Sequence, residues 1–338
     1  MNLSKPILII HQGALGDLIM SLPVLYSLRL FHGPTPWTMA GNLETLSLLH
    51  HRFYAQEVVS IHQKEWALLF QEEIPISDRF GRTLSSFQKA YLFSPGKPEI
   101  LTQGLRRAGL KRVLWVPSFP DVRKNIFLQS LQKEFLKSEN IPWVESEEII
   151  FPAREDLRKA EEYLSRDLKS RGKLPLWAIH PGSGSSHKNW PLGRFLDLAQ
   201  ELLAGKKAQP IFILGPVEQE TSPGTVKLIE TGGFPILRNM TLPILAGVLS
   251  CCVGYLGNDS GVSHLAAALG LPTVVLFGPT DPLFWGPKGE NVRILSPSIP
   301  CSPCMEDIKR LCAEKICLSD LTVHQVLNTI CQVKTALC

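Results

Sequence analysis

The feature that most constrains the fold is a polar corner at residues 258–264, which read Asn-Asp-Ser-Gly-Val-Ser-His. It stands between an apolar run at residues 253–256 and a helical pattern at residues 265–269. A strand that stops at a small polar turn and restarts as a helix leaves the first backbone N–H groups of that helix without intrahelical partners, at its positive end. Phosphate binds well at such a corner. The pattern therefore predicts an α/β fold with a site for a phosphorylated ligand.

Four residues of this corner have candidate roles. Asp259 or Ser260 can cap the helix, and Gly261 lets a ligand approach the backbone closely. His264 lies about one turn further on, near the same opening. A histidine one turn into a buried helix can equally serve a structural hydrogen bond, here with the loop after Gly278. Both roles stay open for His264, as do the cap and the ligand role for Asp259.

Strand and helix patterns alternate in both halves of the chain. In the first half, a β-branched run at residues 7–10 ends in a glycine turn and is followed by helical spacing over residues 17–30. A charged stretch over residues 145–173 separates the halves and predicts a linker near residues 146–152, then a solvated helix. This alternation predicts parallel sheets covered by helices. Further strands are predicted at residues 37–40, 57–61, 89–93, 112–116, 176–179, 210–214, 253–256 and 273–277, and further helices at residues 192–203, 242–250 and 261–269.

The length of 338 residues exceeds what one hydrophobic core usually supports, and it favours two domains of roughly 150 residues each. We place them at residues 1–150 and 151–338. No apolar run approaches the roughly 18 residues that cross a bilayer, and no secretory cleavage site follows the first apolar run, so we expect a cytoplasmic protein. The net charge of +4 is too small to indicate nucleic acid, but it is compatible with an acidic ligand or an anionic membrane surface.

Four of the eight cysteines crowd into a short segment: Cys301, Cys304, Cys312 and Cys317. A Cys-x2-Cys pair followed by two more cysteines could hold zinc in a four-thiolate site. The later spacings, of seven and four residues, are not those of a standard zinc knuckle. Disulfides are disfavoured in a reducing compartment. We therefore favour free or half-buried thiols and keep zinc as the alternative.

A second cluster follows the first predicted strand, at residues 11–17. Gly13 and Gly16 permit a tight turn, and Asp17 stands at the start of the next helix. Open parallel sheets bind ligands at the carboxyl ends of their strands, so this turn is a candidate site. Taken alone, Asp17 is explained as well by a helix cap.

A third cluster, at residues 180–191, lies between a predicted strand and a predicted helix. Its glycines and small hydroxyl residues, Ser183 and Ser185 among them, can wrap phosphate oxygens. Lys188 supplies a point charge. A flexible surface turn explains such a loop about equally well, and Trp190 is expected to shape the loop by packing.

Four ordered motifs make the chain resemble the ADP-heptose:lipopolysaccharide heptosyltransferases, glycosyltransferase family 9. They are the glycine turn with Asp17, the Pro-Gly-Ser-Gly loop with Lys188, the corner at residues 258–264, and Leu-Phe-Gly-Pro-Thr-Asp-Pro at residues 276–282. The cysteine segment is also similar to the C-terminal region of the family, which weakens the independent case for zinc. The resemblance covers most of the chain and implies a GT-B fold, in which two Rossmann-like, doubly wound domains face a central cleft.

The resemblance also implies an activity. It implies inverting transfer of a heptose, or a related sugar, from ADP-heptose to a lipopolysaccharide-core or other glycan acceptor, with no cofactor and no required metal. The N-terminal domain would bind the acceptor and the C-terminal domain the nucleotide sugar, with a last helix that can pack back on the N-terminal domain. Peripheral contact with the cytoplasmic face of the inner membrane is implied as well.

Residue roles follow from the same resemblance. Asp17 would be the base that takes the proton of the acceptor hydroxyl, beside the acceptor-side glycines Gly13 and Gly16. Glu218 is placed like an acid that holds a nucleotide ribose, although an exposed loop acid explains it nearly as well. The residues that would bind the donor are Ser183, Ser185, Lys188, Glu218, Asp259, Ser260, Gly261 and His264.

Acceptor recognition is less constrained by the sequence. Basic residues of the first domain could contact acceptor phosphates or the membrane surface, and ordinary solvated positions explain most of them. A helix with a polar side accounts for the group at residues 106–112. The candidates are Arg79, Arg82, Arg106, Arg107, Lys111, Arg112, Arg123 and Lys124.

Two other functions would use the same corner. A nucleotide-sugar epimerase would need further acids and histidines for proton transfer, and a non-catalytic nucleotide-sugar-binding protein would not require Asp17. The chain lacks the Asp-x-Asp pair of metal-dependent single-domain transferases. Its first turn also lacks the Gly-x-Gly-x-x-Gly of dinucleotide-dependent dehydrogenases.

Overall fold

The structure, a computed structural model, describes residues 5–71, 77–146, 149–168, 174–215, 223–304, 312 and 316–333. The chain divides into two compact units, Met1–Phe151 and Pro152–Cys338. Each unit contains one parallel sheet within its described residues.

The first unit is a five-stranded parallel sheet with helices between its strands. The strands are β1 (Ile7–His11), β2 (Trp37–Gly41), β3 (Glu57–Ser60), β4 (Lys89–Ser94) and β5 (Val113–Pro117). The helices are α1 (Leu15–His32), α2 (Leu43–Leu46), α3 (Lys64–Ala67), α4 (Asp78–Ser85), α5 (Glu99–Arg107) and α6 (Leu128–Ser138), with 3-10 turns at Leu68–Phe70 and Val122–Lys124. The strand order is β3-β2-β1-β4-β5.

Apolar patterning explains the centre of this unit. Every residue of β1 is buried, because a central parallel strand is covered on both faces and reads as a continuous apolar run. Helix α1 buries Leu18, Leu22, Leu25 and Leu28, the residues whose spacing predicts it. The five strands predicted in this half are confirmed to within one residue at each end.

The second unit repeats the architecture with six parallel strands. The strands are β6 (Leu176–His180), β7 (Gln209–Leu214), β8 (Ile236–Arg238), β9 (Gly254–Asn258), β10 (Thr273–Leu276) and β11 (Val292–Leu295). The helices are α7 (Arg154–Asp167), α8 (Leu192–Ala204), α9 (Pro223–Thr231), α10 (Leu242–Ser250), α11 (Gly261–Ala268), α12 (Pro282–Trp285), α13 (Ile316–Asp320) and α14 (Val323–Gln332), with a 3-10 turn at Ser186–Lys188. The strand order is β11-β10-β9-β6-β7-β8.

In both sheets the strand order reverses beside the first strand of the unit. The reversal lies between β1 and β4 in the first unit and between β6 and β9 in the second. At such a point the loops leaving the two strands diverge, and a crevice opens at their carboxyl ends. The fold thus creates one candidate site in each unit.

The structure departs from the sequence predictions at the edges of the second sheet and at α7. Strands β8 and β11 are not predicted, and each lies at a sheet edge with a single neighbour. Helix α7 carries the charges that predict a solvated helix, but its Asp156, Ala160 and Leu164 are buried. This face of α7 packs against α10.

The last described helix, α14, packs against α8, β10 and β11. Its Val326 and Ile330 are buried in the core of the second unit. These contacts lie within the second unit, and packing of the last helix on the N-terminal domain stays a prediction.

Helices α7 and α10 approach so closely that Gly247 has no room for a side chain. A Cβ atom at Gly247 would lie 2.6 Å from the backbone oxygen of Asp156. We expect Gly247→Ala to lower the free energy of unfolding by about 1–3 kcal/mol, because the two helices must separate. Urea unfolding measures this change.

The matched control is Gly193→Ala, at an exposed helical position of α8 where an added Cβ meets no atom within 4 Å. We expect its stability to be unchanged or raised by up to about 1 kcal/mol, because alanine is the better helix former. Equal losses in the two variants would contradict the close packing of α7 on α10.

Candidate functional site

Helix α11 starts directly after β9, and Ser260 caps it. Ser260 Oγ accepts a hydrogen bond from the backbone N–H of Ser263 at 3.4 Å. Ser263 Oγ in turn donates to the Asn258 carbonyl at 2.5 Å, which ties the helix to the strand end. The sequence leaves Asp259 and Ser260 as alternative caps, and the structure gives this role to Ser260. The Asp259 side chain therefore makes a different contact.

Asp259 forms an ion pair with Lys188. The Lys188 Nζ atom lies 2.7 Å from Asp259 Oδ2. The two residues follow adjacent strands, since Lys188 lies in the 3-10 turn after β6 and Asp259 comes directly after β9. The Asp259 side chain is only 9% exposed, whereas that of Lys188 is 32% exposed. Two of the predicted clusters therefore meet at the reversal point, with an accessible cation at the start of a helix.

A buried asparagine holds the loop that carries Lys188. Asn258 is fully buried, and its Oδ1 accepts the backbone N–H of Trp190 at 2.9 Å. Its Nδ2 donates to the Pro181 carbonyl at 2.8 Å. Sequence reasoning missed this role. The sequence nevertheless indicates it, because the side-chain amide of an asparagine at the carboxyl end of a buried strand needs hydrogen-bond partners, and a neighbouring loop can supply them.

The loop at residues 181–190 is also bonded internally. Ser183 Oγ lies 2.7 Å from the Ser185 carbonyl oxygen and 2.6 Å from the side-chain oxygen of Asn189. Ser185 Oγ accepts the backbone N–H of His187 at 3.4 Å. Trp190 is buried and donates from Nε1 to the Leu321 carbonyl at 2.9 Å, so it shapes the loop as predicted. The alternative of a flexible surface turn does not fit these contacts.

His264 is buried inside the second unit. Burial lowers the pKa of its imidazole to about 4, although the Asp259 carboxylate and a hydrogen bond to the Trp285 backbone favour the charged form. Trp285 ends α12, in the segment that follows Gly278. The structure therefore contains the structural contact that the sequence leaves open for His264.

In the first unit, a cavity of about 750 Å³ opens at the carboxyl ends of β1 and β4. Asp17 lines it, in the first turn of α1, where Oδ2 accepts the backbone N–H of Ala14 at 2.9 Å. The rest of the lining is largely apolar, with Lys97 and Glu99 as its other charged residues. The aromatic residues of the lining are Phe70, Phe93 and Phe119.

The turn that carries Asp17 is tightly packed. A Cβ atom at Gly13 would lie 2.6 Å from the Asp17 Cβ atom and 2.8 Å from the His11 ring. Gly16 is the second residue of α1. Position 13 therefore requires glycine, because any side chain there would collide with His11 at the end of β1 and with Asp17.

Comparison with known proteins places the chain in a family. Residues 122–314, more than half of its length, match the model of glycosyltransferase family 9 (heptosyltransferase). The chain belongs to glycosyltransferase family 9. It is therefore a glycosyltransferase, and the resemblance found in the sequence is confirmed.

Named relatives of this family 9 member are heptosyltransferases. Lipopolysaccharide heptosyltransferase 1 of Pseudomonas aeruginosa is 31% identical over 119 residues, which are 35% of this chain and a third (33%) of that protein. Lipooligosaccharide heptosyltransferase 2 of Campylobacter jejuni is 23% identical over 328 residues, which are 95% of this chain and 96% of that protein. The first match is thus partial, and the second spans both proteins.

A solved relative shares the fold. The ADP-heptose lipopolysaccharide heptosyltransferase II of Escherichia coli superposes with a TM-score of 0.70 at 17% identity, over 96% of this chain and 97% of that chain. The family 9 chain thus has a GT-B type fold with two Rossmann-like domains, as predicted.

Several predicted features lie apart from these two sites. Glu218 falls outside the described residues. Within the described residues, Cys301, Cys304, Cys312 and Cys317 form no disulfide, and burial raises the pKa of the Cys317 thiol. Across the described ranges, no group of three His, Cys, Asp or Glu side chains is arranged to hold a metal ion. None of the helices in those ranges combines the length and apolarity needed to span a membrane.

We expect Asn258→Ala to lower the free energy of unfolding by about 2–4 kcal/mol, because it leaves the Trp190 N–H and the Pro181 carbonyl buried without their partner. Thermal and urea unfolding measure the loss. Asn328→Ala, at an exposed position of α14, is the control and should change stability by less than about 0.5 kcal/mol. Similar stability of the two variants would show that Asn258 does not hold the loop.

Proposed function

We propose that this glycosyltransferase moves a heptose, or a related sugar, from ADP-heptose to a lipopolysaccharide-core glycan, with inversion and without a metal. The observation that carries the proposal is the Lys188–Asp259 ion pair at the start of α11, because it sets an accessible cation where the helix already favours an anion. The names of the Campylobacter jejuni and Escherichia coli relatives support heptose as the sugar, and that of the Escherichia coli enzyme supports ADP-heptose as the donor.

In the second unit, we assign the donor diphosphate to Lys188 and to the first backbone N–H groups of α11. The amides of Ser260 and Gly261 belong to this helix start, and Gly261 has no side chain to keep a phosphate oxygen away. Negative charge grows on the diphosphate as the bond to the sugar breaks. Lys188 and the helix start stabilise that charge, which is the task that a metal ion performs in other transferases.

The other proposed donor residues differ in exposure. Ser185 and Ser260 are half-buried and remain candidates for direct contact, whereas Ser183 and His264 are buried and are assigned to shaping the loop and the helix. Asp259 orients Lys188 and is the candidate contact for the donor sugar. Glu218 keeps its proposed role at the nucleotide ribose.

In the first unit, we assign Asp17 as the base. Its carboxylate lines the cavity, and the Ala14 N–H and the positive end of α1 favour its ionised form at neutral pH. Such stabilisation also makes Asp17 a weaker base. Correct placement of the acceptor hydroxyl must therefore supply much of the rate enhancement.

The proposed reaction is a single displacement. The acceptor oxygen gives its proton to Asp17 and forms a bond to the anomeric carbon of the donor. The bond from that carbon to the diphosphate breaks on the opposite face, so the configuration inverts and ADP leaves. The residues assigned to the donor and the residue assigned as base belong to different units.

Apolar groups beside the cavity suit a lipid-linked acceptor. Phe70 and Ile100 line the cavity and are 52% and 58% exposed. Such side chains can contact the apolar part of an acceptor or a membrane surface, and basic residues of the same unit can contact phosphates. Of the basic candidates, Arg112 is already paired with Glu139 and Arg107 with the Gln71 carbonyl. We therefore propose peripheral contact with the cytoplasmic face of the inner membrane.

We expect Asp17→Asn to lower kcat by about 100-fold or more, because the amide cannot take the proton of the acceptor hydroxyl. The affinity for ADP should not change, because Asp17 is not assigned to the donor. Release of ADP from ADP-heptose in the presence of a lipopolysaccharide-core acceptor measures kcat, and calorimetry measures ADP affinity.

The matched control is Asp78→Asn, which removes an exposed acid from the first turn of another helix, α4, and should keep the wild-type rate. A wild-type rate in Asp17→Asn would exclude the proposed base. The same assay with a chelator tests the metal-free part of the proposal, which loss of activity would overturn.

We expect Lys188→Met to weaken ADP binding by about 10- to 100-fold, because a charged hydrogen-bond donor to the diphosphate is lost. Lys227→Met, at an exposed position of α9, is the control and should bind ADP as the wild type does. Unchanged affinity in Lys188→Met would remove Lys188 from the donor site. Tighter binding of UDP than of ADP by the wild type would contradict ADP-heptose as the donor.

A further inference from the structure

His11 is a buried histidine to which the proposed reaction gives no role. It is the last residue of β1, pairs with Gly41 of β2 and Phe93 of β4, and is 2% exposed. Its ring lies 5.4 Å from the Phe93 ring, centroid to centroid. An apolar side chain would fill this space at lower cost, because a buried imidazole must find hydrogen-bond partners. The partners that it has are informative.

Both ring nitrogens of His11 bind the turn and helix start that carry Asp17. The backbone N–H of Gly13 donates to Nδ1 at 3.3 Å. Nε2 lies 3.2 Å from Ser21 Oγ, and the Ser21 hydroxyl donates to the Asp17 carbonyl at 2.9 Å. Because Nδ1 accepts and the Ser21 proton is already used, the ring must carry its proton on Nε2. A single neutral tautomer of His11, with its proton on Nε2, is therefore consistent with all three hydrogen bonds.

Packing adds a second constraint on the same turn. A Cβ atom at Gly13 would lie 2.8 Å from the Cε1 atom of His11 and 2.6 Å from the Cβ atom of Asp17. The turn is thus packed against both the ring and the acid. A shift of the ring would move Gly13, and a shift of Gly13 would move the Asp17 carboxylate.

Burial also keeps the ring neutral. It lowers the pKa of the His11 imidazole to about 4, against a smaller opposing effect of the Asp17 backbone. A second ring proton would sit on Nδ1 and face the Gly13 N–H, so the charged form would break the bond that holds the turn. The neutral form is the one present near neutral pH.

We propose that His11 is a positioning residue: through Gly13 and Ser21 it fixes the turn that sets the Asp17 carboxylate against the acceptor hydroxyl. This inference rests on the proposed role of Asp17 as the base. His11 is buried and is not among the residues that line the cavity, so its loss should change kcat while the KM values for both substrates stay nearly constant.

The test is a set of substitutions at His11. His11→Phe keeps the ring volume and the contact with Phe93 but removes both hydrogen bonds. We expect kcat to fall about tenfold or more, because small errors in placing a catalytic group are costly, while both KM values stay within about twofold. In His11→Asn, Oδ1 takes the place of Nδ1 and can accept the Gly13 N–H, so kcat should recover to within about threefold of wild type.

The control is His32→Phe, at the other end of α1. His32 is half-buried, its Nε2 lies 2.8 Å from the Tyr91 hydroxyl, and burial lowers its pKa to about 4 as well. It therefore reproduces the loss of a ring hydrogen bond at the opposite end of α1, away from the turn, and should keep the wild-type kcat. Thermal melting of each variant reports any loss of folding.

Ser21→Ala keeps the proposal testable if His11→Phe does not fold. It removes the link to the Asp17 carbonyl with little change in volume, and we expect kcat to fall about threefold at constant KM. Wild-type kcat in Ser21→Ala and in any folded His11→Phe would overturn the proposal. So would equal losses in His11→Asn and His11→Phe.

A double variant separates the failure of this inference from the failure of the proposed base. If His11 acts through Asp17, then His11→Phe should lower the residual rate of Asp17→Asn by less than about twofold. A further tenfold loss in that background would show that His11 acts elsewhere. A wild-type rate in Asp17→Asn alone would instead refute the base, which is the separate proposal.

Discussion

A parallel sheet presents the carboxyl ends of all its strands along one edge, but a crevice opens there only where the strand order reverses. This constraint locates both candidate sites. In the first unit the reversal lies between β1 and β4, and Asp17 lines the cavity at their ends. In the second unit it lies between β6 and β9, where Lys188 meets Asp259. Residues distant in sequence meet there because the topology brings the ends of these strands together.

The ion pair of the second unit has opposing effects on anion binding. Asp259 is nearly buried, so its carboxylate would be costly to leave unpaired, and Lys188 offsets that cost. The same carboxylate cancels part of the Lys188 charge and weakens the attraction for a diphosphate. In the proposed reaction, the weaker attraction affects both the donor and the product ADP, since each carries a diphosphate. This does not slow the chemical step, because binding donor and product more tightly to the same extent would not raise its rate.

The central strands of both sheets could be predicted from the sequence, whereas two edge strands of the second sheet could not. Strands β1, β6 and β9 are apolar runs that end in polar turns, and such runs are readable because both faces of a central strand are buried. Strands β8 and β11 are short edge strands with half-exposed or charged residues, so their sequences resemble loops.

The same distinction applies to the candidate site residues. Lys188 and Asp259 could be identified as candidates because each stands in a glycine-containing or polar turn after a strand, but their ion pair could not, since it depends on which strands are adjacent. The choice of Ser260 over Asp259 as cap depends on the backbone angles of one residue. The role of Asn258 depends on a loop about seventy residues earlier in the chain.

The two units therefore organise their polar turns by different means. In the second unit a buried amide and a charge pair hold the loop, and the retained positive charge serves an anionic ligand. In the first unit a neutral imidazole holds the turn. A cationic side chain in place of His11 could not accept the Gly13 N–H, and its charge would further stabilise the Asp17 carboxylate and make it a weaker base. A buried, neutral histidine gives the turn its rigidity without that loss, which is the property that a base at the positive end of a helix requires.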